Sequence, residues 1–181
     1  GTNPLAFGWP RGDEPPMVFD MATAAMARGE IQVAARDGHE VPLGAGLDAQ
    51  GRPTTDPRAI VDGGVQLPFG GYKGSAIALM VELLCAGLVG ERFSYEAAEL
   101  DQPDGGPPQG GELIFAMDPS AFGDAAHWQV HAEAFFARFE ALAGSPRLPG
   151  DRRYAARAET PSTGITIPAK LKAELDALAG G

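Results

Sequence analysis

The longest apolar run of the chain, Ser75 to Val89, is interrupted only by Glu82 and small residues. Its pattern predicts a central helix from about Gly74 to Leu88, covered on most sides because it is apolar nearly all round. The run is short of the roughly 18 to 20 residues that cross a bilayer and carries a charge in its middle, so it reads as a buried helix. A second helix is expected over the alanine-rich stretch Ala24 to Arg36, capped by Thr23 and ended by Gly38. Ahead of it, Met17-Val18-Phe19-Asp20 follows the Pro15-Pro16 pair as a short apolar segment suited to a buried strand.

Elsewhere the pattern is more broken. From Val41 to Pro68, glycine, proline and aspartate predict ordered loop with short strands, and Asp56 can cap a short helix with Pro57 at its first position. Asp101 to Gly111 is too rich in proline and glycine for regular structure and should lead into a strand from Glu112 to Met117. From about Ala125 to Ala143, Trp128, Phe135, Phe136, Phe139 and Leu142 fall on one broad helical face and are expected in the core. A tail helix begins near Pro168 and carries Leu171, Leu175 and Leu178. No internal repeat is present.

Composition narrows the classes of partner. With 181 residues, 44% of them hydrophobic, the chain can bury a core of one domain or one and a half. A formal net charge of -10 opposes nucleic acid and anionic membranes, so an anionic small molecule needs a local basic pocket. The single cysteine, Cys85, lies within the apolar run and reads as a reduced core residue, which together with the absence of a leader-like opening points to the cytoplasm. His127 and His131, four apart on a predicted helix, permit metal ligation in principle, but no third ligand completes a set and no metal is expected.

Candidate chemistry is concentrated in a few segments. Gly70-Gly71-Tyr72-Lys73-Gly74 directly precedes a helix, where backbone N–H groups and the Lys73 charge can receive phosphate; its spacing fits neither a Walker motif nor the Rossmann glycine fingerprint. A plain turn before a helix accounts for the same spacing. Arg147, Arg152, Arg153 and Arg157 gather near Leu148-Pro149-Gly150-Asp151 and form either an anion site or a solvated basic face. Asp20 ends the predicted strand, and Glu30 on the following helix can orient a proton-transfer residue or lie solvated.

In this order, Gly-Thr-Asn-Pro-Leu-Ala-Phe, Val-Phe-Asp-Met-Ala-Thr, Pro-Thr-Thr-Asp-Pro, Leu-Pro-Phe-Gly-Gly-Tyr-Lys-Gly and Arg-Leu-Pro-Gly-Asp-Arg-Arg resemble the malate/L-lactate dehydrogenase-like family over nearly the whole chain. The resemblance implies an α/β fold, not a Rossmann fold, with a largely antiparallel sheet in the cofactor domain, flanked by helices. It implies a cofactor domain over residues 1–122, a C-terminal helical segment over residues 123–181 that completes a second domain, and a homodimer. Thr2, Arg28 and Gly29 would lie against the substrate. Asp20, Met21, Ala22, Tyr72, Lys73, Leu148, Pro149, Gly150, Asp151, Arg152 and Arg153 would hold NADPH or NADH. Glu30 falls where the family's imine reductases place an acidic relay residue, usually Asp.

The motif variants resemble most the branch that reduces Δ1-piperideine-2-carboxylate and Δ1-pyrroline-2-carboxylate. The alternatives are a 2-hydroxy acid dehydrogenase acting on malate, lactate, ureidoglycolate or sulfolactate, and a non-catalytic nucleotide-binding subunit. The family's Ser-His segment, which supplies the acid/base histidine, does not occur in the sequence. The expectation is therefore a C-terminal part whose missing segment is supplied from elsewhere in any active assembly.

Overall fold

The computed structural model describes residues 2–100, 109–144 and 146–180. It has the expected mixed α/β character, with small sheets among helices. Two compact units divide the chain: Gly1–Phe7 with Asp20–Asp118, and Gly8–Phe19 with Pro119–Gly181. Strands β1 (Leu5–Trp9) and β2 (Met17–Met21) form a two-stranded sheet, and each strand runs through a division between units.

In the first unit, helix α1 covers Arg28–Asp37 and ends on Gly38, whose φ of 76° supplies the left-handed turn expected there. Its start corrects the expectation. Residues before Arg28 are occupied by sheet-like bonds: Ala24 bridges Pro68, Ala25 N–H donates to Leu67 O and Phe69 N–H donates to Thr23 O. Thr23 therefore does not cap α1, whose N-cap is Ala27 and which has no side-chain cap. Strands β3 (Gly46–Leu47) and β4 (Pro53–Thr54), helix α2 (Pro57–Val61) and strand β5 (Val65–Gln66) follow. The sheet order is β4-β3-β5, antiparallel throughout, with Gly46 opposite both Thr54 and Gln66.

Gly46 is required there, because a Cβ would stand 2.6 Å from Val65 O and 2.8 Å from the Ile60 side chain. Asp56 caps α2 as expected, accepting from Arg58 N–H at 2.9 Å, with Pro57 in the first position. Ile31 and Ala34 of α1 pack with Val41, Ala45 and Ile60 into the core of this unit.

Helix α3 runs from Tyr72 to Glu82 and continues as a π-helical turn over Leu83–Leu88, followed by α4 (Ser94–Glu99). The expected element is present, but its expected burial is not. Gly74, Val81 and Ala86 are buried, whereas Leu79, Met80, Leu83 and Leu88 are exposed and Cys85 is only partly covered. Among the described residues, the segments packed against α3 leave these side chains uncovered. Gly74 marks the tight side, since a Cβ would meet Phe69 O at 1.9 Å.

The predicted strand from Glu112 to Met117 is not formed, and Ile114, Phe115 and Met117 are exposed. A short apolar run makes a strand only when a neighbouring strand accepts its backbone groups, and none among the described residues does. Most of the predicted loop ahead of it, residues 101–108, lies outside the described residues.

The second unit contains α5 (Trp128–Glu140), α6 (Asp151–Thr163) and α7 (Ala169–Ala179), the last starting after Pro168 as expected. Of the aromatic face predicted for α5, Phe136 is buried, but Phe135 and Leu142 are exposed, so the stripe is only partly core. Phe136 instead anchors a polar clamp. Arg11 lies over its ring at 4.7 Å and donates to both oxygens of Glu133, at 3.1 Å from Nε and 2.8 Å from Nη2. That guanidinium holds the Glu133 carboxyl below its ordinary range. Trp9 and Trp128 meet edge to face at 5.6 Å. No helix among the described residues is long and apolar enough to cross a membrane.

Candidate functional site

Thr2 opens the first candidate site. Its carbonyl accepts two hydrogen bonds from Thr23, from N–H and from the hydroxyl, both at 2.9 Å. Thr23 is only 3% exposed, so this is where a residue expected to cap a helix spends its hydroxyl. Thr2 and Thr23 line a shallow hollow of about 300 Å³ together with Gln66, Pro68, and Ser75 and Ala78 of α3. Arg28, Gly29 and Glu30 form the exposed first turn of α1 and do not line this hollow.

Asn3 continues the site with the only positive φ of a described non-glycine residue, 44°. Such a conformation costs roughly 1 to 3 kcal/mol and persists where its surroundings over-determine it. Here the Asn3 amide donates to Ala78 O and to Glu82 Oε1, both at 3.0 Å. Glu82 in turn accepts from Ser94 N–H at 3.2 Å and from the Ser94 hydroxyl. Burial alone would raise the Glu82 carboxyl, but the donors from Ser94 and Asn3 outweigh it and hold the group below its ordinary value. In the sequence Glu82 stands out as the one charge within the apolar run from Ser75 to Val89.

Asp20 and Met21 end β2 and are exposed, and Ala22, just beyond the strand, is partly buried. Tyr72 and Lys73 start α3 after Gly70 and Gly71, whose φ values of 57° and 60° let the chain turn sharply into the helix. Tyr72 is 80% exposed and, among the described residues, Lys73 has no ion-pair partner. Both are therefore free to receive a ligand.

In the second unit, Leu148 to Arg153 forms a compact turn into α6, a helix not anticipated from sequence. The Asp151 carboxylate closes the turn by accepting Leu148 N–H at 2.8 Å. Gly150 has φ 100°, and a Cβ on it would lie 3.2 Å from both Val18 O and the Tyr154 ring. Pro149 O accepts Val18 N–H at 3.2 Å, and Tyr154 donates its hydroxyl to Pro16 O at 2.8 Å, so the turn is fixed against β2 and the segment before it. Arg147, Leu148, Pro149, Gly150 and Arg152 surround an open hollow of about 250 Å³. Among the described residues Arg147, Arg152 and Arg153 form no ion pair, which leaves their charge available to an anion. Guanidinium groups without an ion pair beside a glycine turn can receive an anion.

An α/β chain with small antiparallel sheets, a glycine-preceded helix bearing Lys73 and a basic turn at 148–153 can be set beside known families. The profile of the malate/L-lactate dehydrogenase family matches residues 1–176, and the chain belongs to that family. It is 47% identical over 180 residues to the Δ1-pyrroline-2-carboxylate/Δ1-piperideine-2-carboxylate reductase of Pseudomonas syringae pv. tomato, covering 99% of this chain and 52% of that protein. The crystal structure of Δ1-piperideine-2-carboxylate reductase from the same organism superposes with a TM-score of 0.86 at 47% identity, over 98% of this chain and 52% of that one. Sulfolactate dehydrogenase from Methanocaldococcus jannaschii superposes with a TM-score of 0.79 at 28% identity, over 99% and 52%. The chain thus spans about half the length of the relatives it matches.

Proposed function

We propose that the protein is an NADPH-dependent oxidoreductase that reduces a cyclic imino acid, Δ1-piperideine-2-carboxylate or Δ1-pyrroline-2-carboxylate. The observation that carries this reading is the 47% identity, extending over 99% of the chain, to a reductase named for both substrates. The nicotinamide supplies hydride, and the protein's contribution is orientation and charge placement. The Thr2 hydroxyl donates to the substrate carboxylate at the hollow beside α3; Arg28 and Gly29, on the first turn of α1 outside that hollow, are further substrate contacts on the strength of the family resemblance alone. Glu30 orients the group that delivers a proton to the imine nitrogen, and that donor lies outside these residues. In the first unit Asp20, Met21, Ala22, Tyr72 and Lys73 bind the cofactor; in the second, the Leu148 to Arg153 turn does, with Arg152 and Arg153 meeting phosphate.

The family's 2-hydroxy acid dehydrogenases give a second reading, favoured by the likeness to sulfolactate dehydrogenase. A cytoplasmic homodimer is part of the proposal, supported by the lone cysteine and by the apolar residues that α3 leaves exposed. The deciding assay follows NADPH oxidation by the native protein with Δ1-piperideine-2-carboxylate, pyruvate and oxaloacetate in parallel. We expect turnover with the imine at least about tenfold above either keto acid in kcat/KM, equivalent to about 1.4 kcal/mol of transition-state discrimination. A keto acid preference would transfer the assignment to the dehydrogenase reading, and no turnover would reduce the chain to a nucleotide-binding subunit.

A further inference from the structure

We infer that Glu82 is a positioning residue for Thr2: by gripping the Asn3 side chain, its carboxylate keeps the Thr2–Asn3 segment on the backbone path that lines the hollow beside α3. The inference rests on the proposed substrate role of Thr2. Asn3 precedes Pro4, and proline steers its predecessor toward extended backbone, yet Asn3 holds φ 44°. Asparagine tolerates positive φ better than most residues, but ahead of a proline the conformation still calls for restraint from its surroundings. The restraint is visible in the two 3.0 Å bonds from the Asn3 amide to Ala78 O and Glu82 Oε1.

Glu82 is itself immobilised. Ser94 N–H reaches Oε2 at 3.2 Å and the Ser94 hydroxyl donates to Oε1, so the carboxylate presents a fixed acceptor to Asn3. On the other side of the segment, the Thr2 carbonyl is pinned by the two bonds from Thr23. A packing role for position 82 would be met by an apolar side chain, as at the buried Val81 and Ala86. Only an acceptor with two oxygens can take Asn3 and both Ser94 donors at once. Glutamine can accept from Asn3 but would turn its NH2 toward one of the Ser94 donors, so it should restore part of the effect.

The Thr23 N–H reports the order of the segment, because Thr2 O is its acceptor. In Glu82→Ala we expect its hydrogen exchange to accelerate at least about tenfold, with Glu82→Gln intermediate and Ser94→Ala about threefold faster than wild type. Unchanged Thr23 exchange in a folded Glu82→Ala protein overturns the inference. Should Glu82→Ala fail to fold, unchanged exchange in Asn3→Ala, which removes the group that Glu82 holds, does so instead; Ser94→Ala cannot serve, because the Ser94 hydroxyl also lies 3.2 Å from Asn3 Oδ1.

In the native enzyme, Glu82→Ala should raise KM for the imino acid about tenfold, while kcat and KM for NADPH stay within about twofold. On a Thr2→Val background the same substitution should add nothing, the non-additivity expected of residues acting as one unit. A fall in kcat with unchanged substrate KM, or full additivity with Thr2→Val, overturns the positioning role. Absence of turnover in the wild type defeats the proposed function instead, and the exchange measurement still decides whether Glu82 orders Thr2.

Discussion

At Glu82 two opposing effects act on one carboxyl: partial burial disfavours its charge, and the donors from Ser94 and Asn3 favour it. The donors win, so the folded pKa lies below the unfolded one. The stabilisation this supplies is present above the unfolded value, about 4.3 for a glutamate, and is lost as pH falls through the folded pKa. Wild type should therefore exceed Glu82→Gln in urea midpoint at neutral pH, and the gap should close as pH falls below about 4. A gap independent of pH would mean that the charge of Glu82 contributes nothing to the fold. Little of this was legible in the sequence. Thr23 has the residue type of a helix cap, and only the pairing of residues 23–25 with residues 67–69 shows why its hydroxyl is committed to Thr2 instead.

Elements were readable where the signal is local and obscured where a distant partner decides. Asp56 and Pro57 specify α2 within three residues, and the structure has that cap as expected. Removing it in Asp56→Ala should cost about 1 kcal/mol of stability, read as a lower urea midpoint with an unchanged slope. A loss near zero would show that the core contact of Ile60, not the cap, sets α2. The start of α1 was misplaced because alanine-rich sequence favours helix wherever backbone groups are free, and here Ala24 and Ala25 are already bonded to Pro68 and Leu67. The exposed side of α3 and the unpaired segment at 112–117 fail for a related reason: apolar character predicts burial without naming the surface that provides it. Helix α6 escaped notice because its sequence is mainly charged and polar and contains Pro161.

For the molecule as a whole, acidity and composition excluded classes of partner but chose no reaction. Five short motifs in order carry the family resemblance: two lie on β1 and β2, and three at the chain's entries into α2, α3 and α6. The glycine turns at 70–71 and 150 hold positive φ next to exposed basic residues, which is why they were readable as motifs. The central claim is hydride transfer from the nicotinamide to C2 of a cyclic imino acid. Its most direct test is turnover of the native protein with NADPH deuterated at C4 and Δ1-pyrroline-2-carboxylate, followed by mass analysis of the amino acid formed. The account predicts a single deuterium at C2 of proline when the transferred position is labelled, and none when the opposite face carries the label. Oxidation of NADPH without deuterium in the product, or label in a 2-hydroxy acid made from pyruvate or oxaloacetate but not in proline, would contradict it.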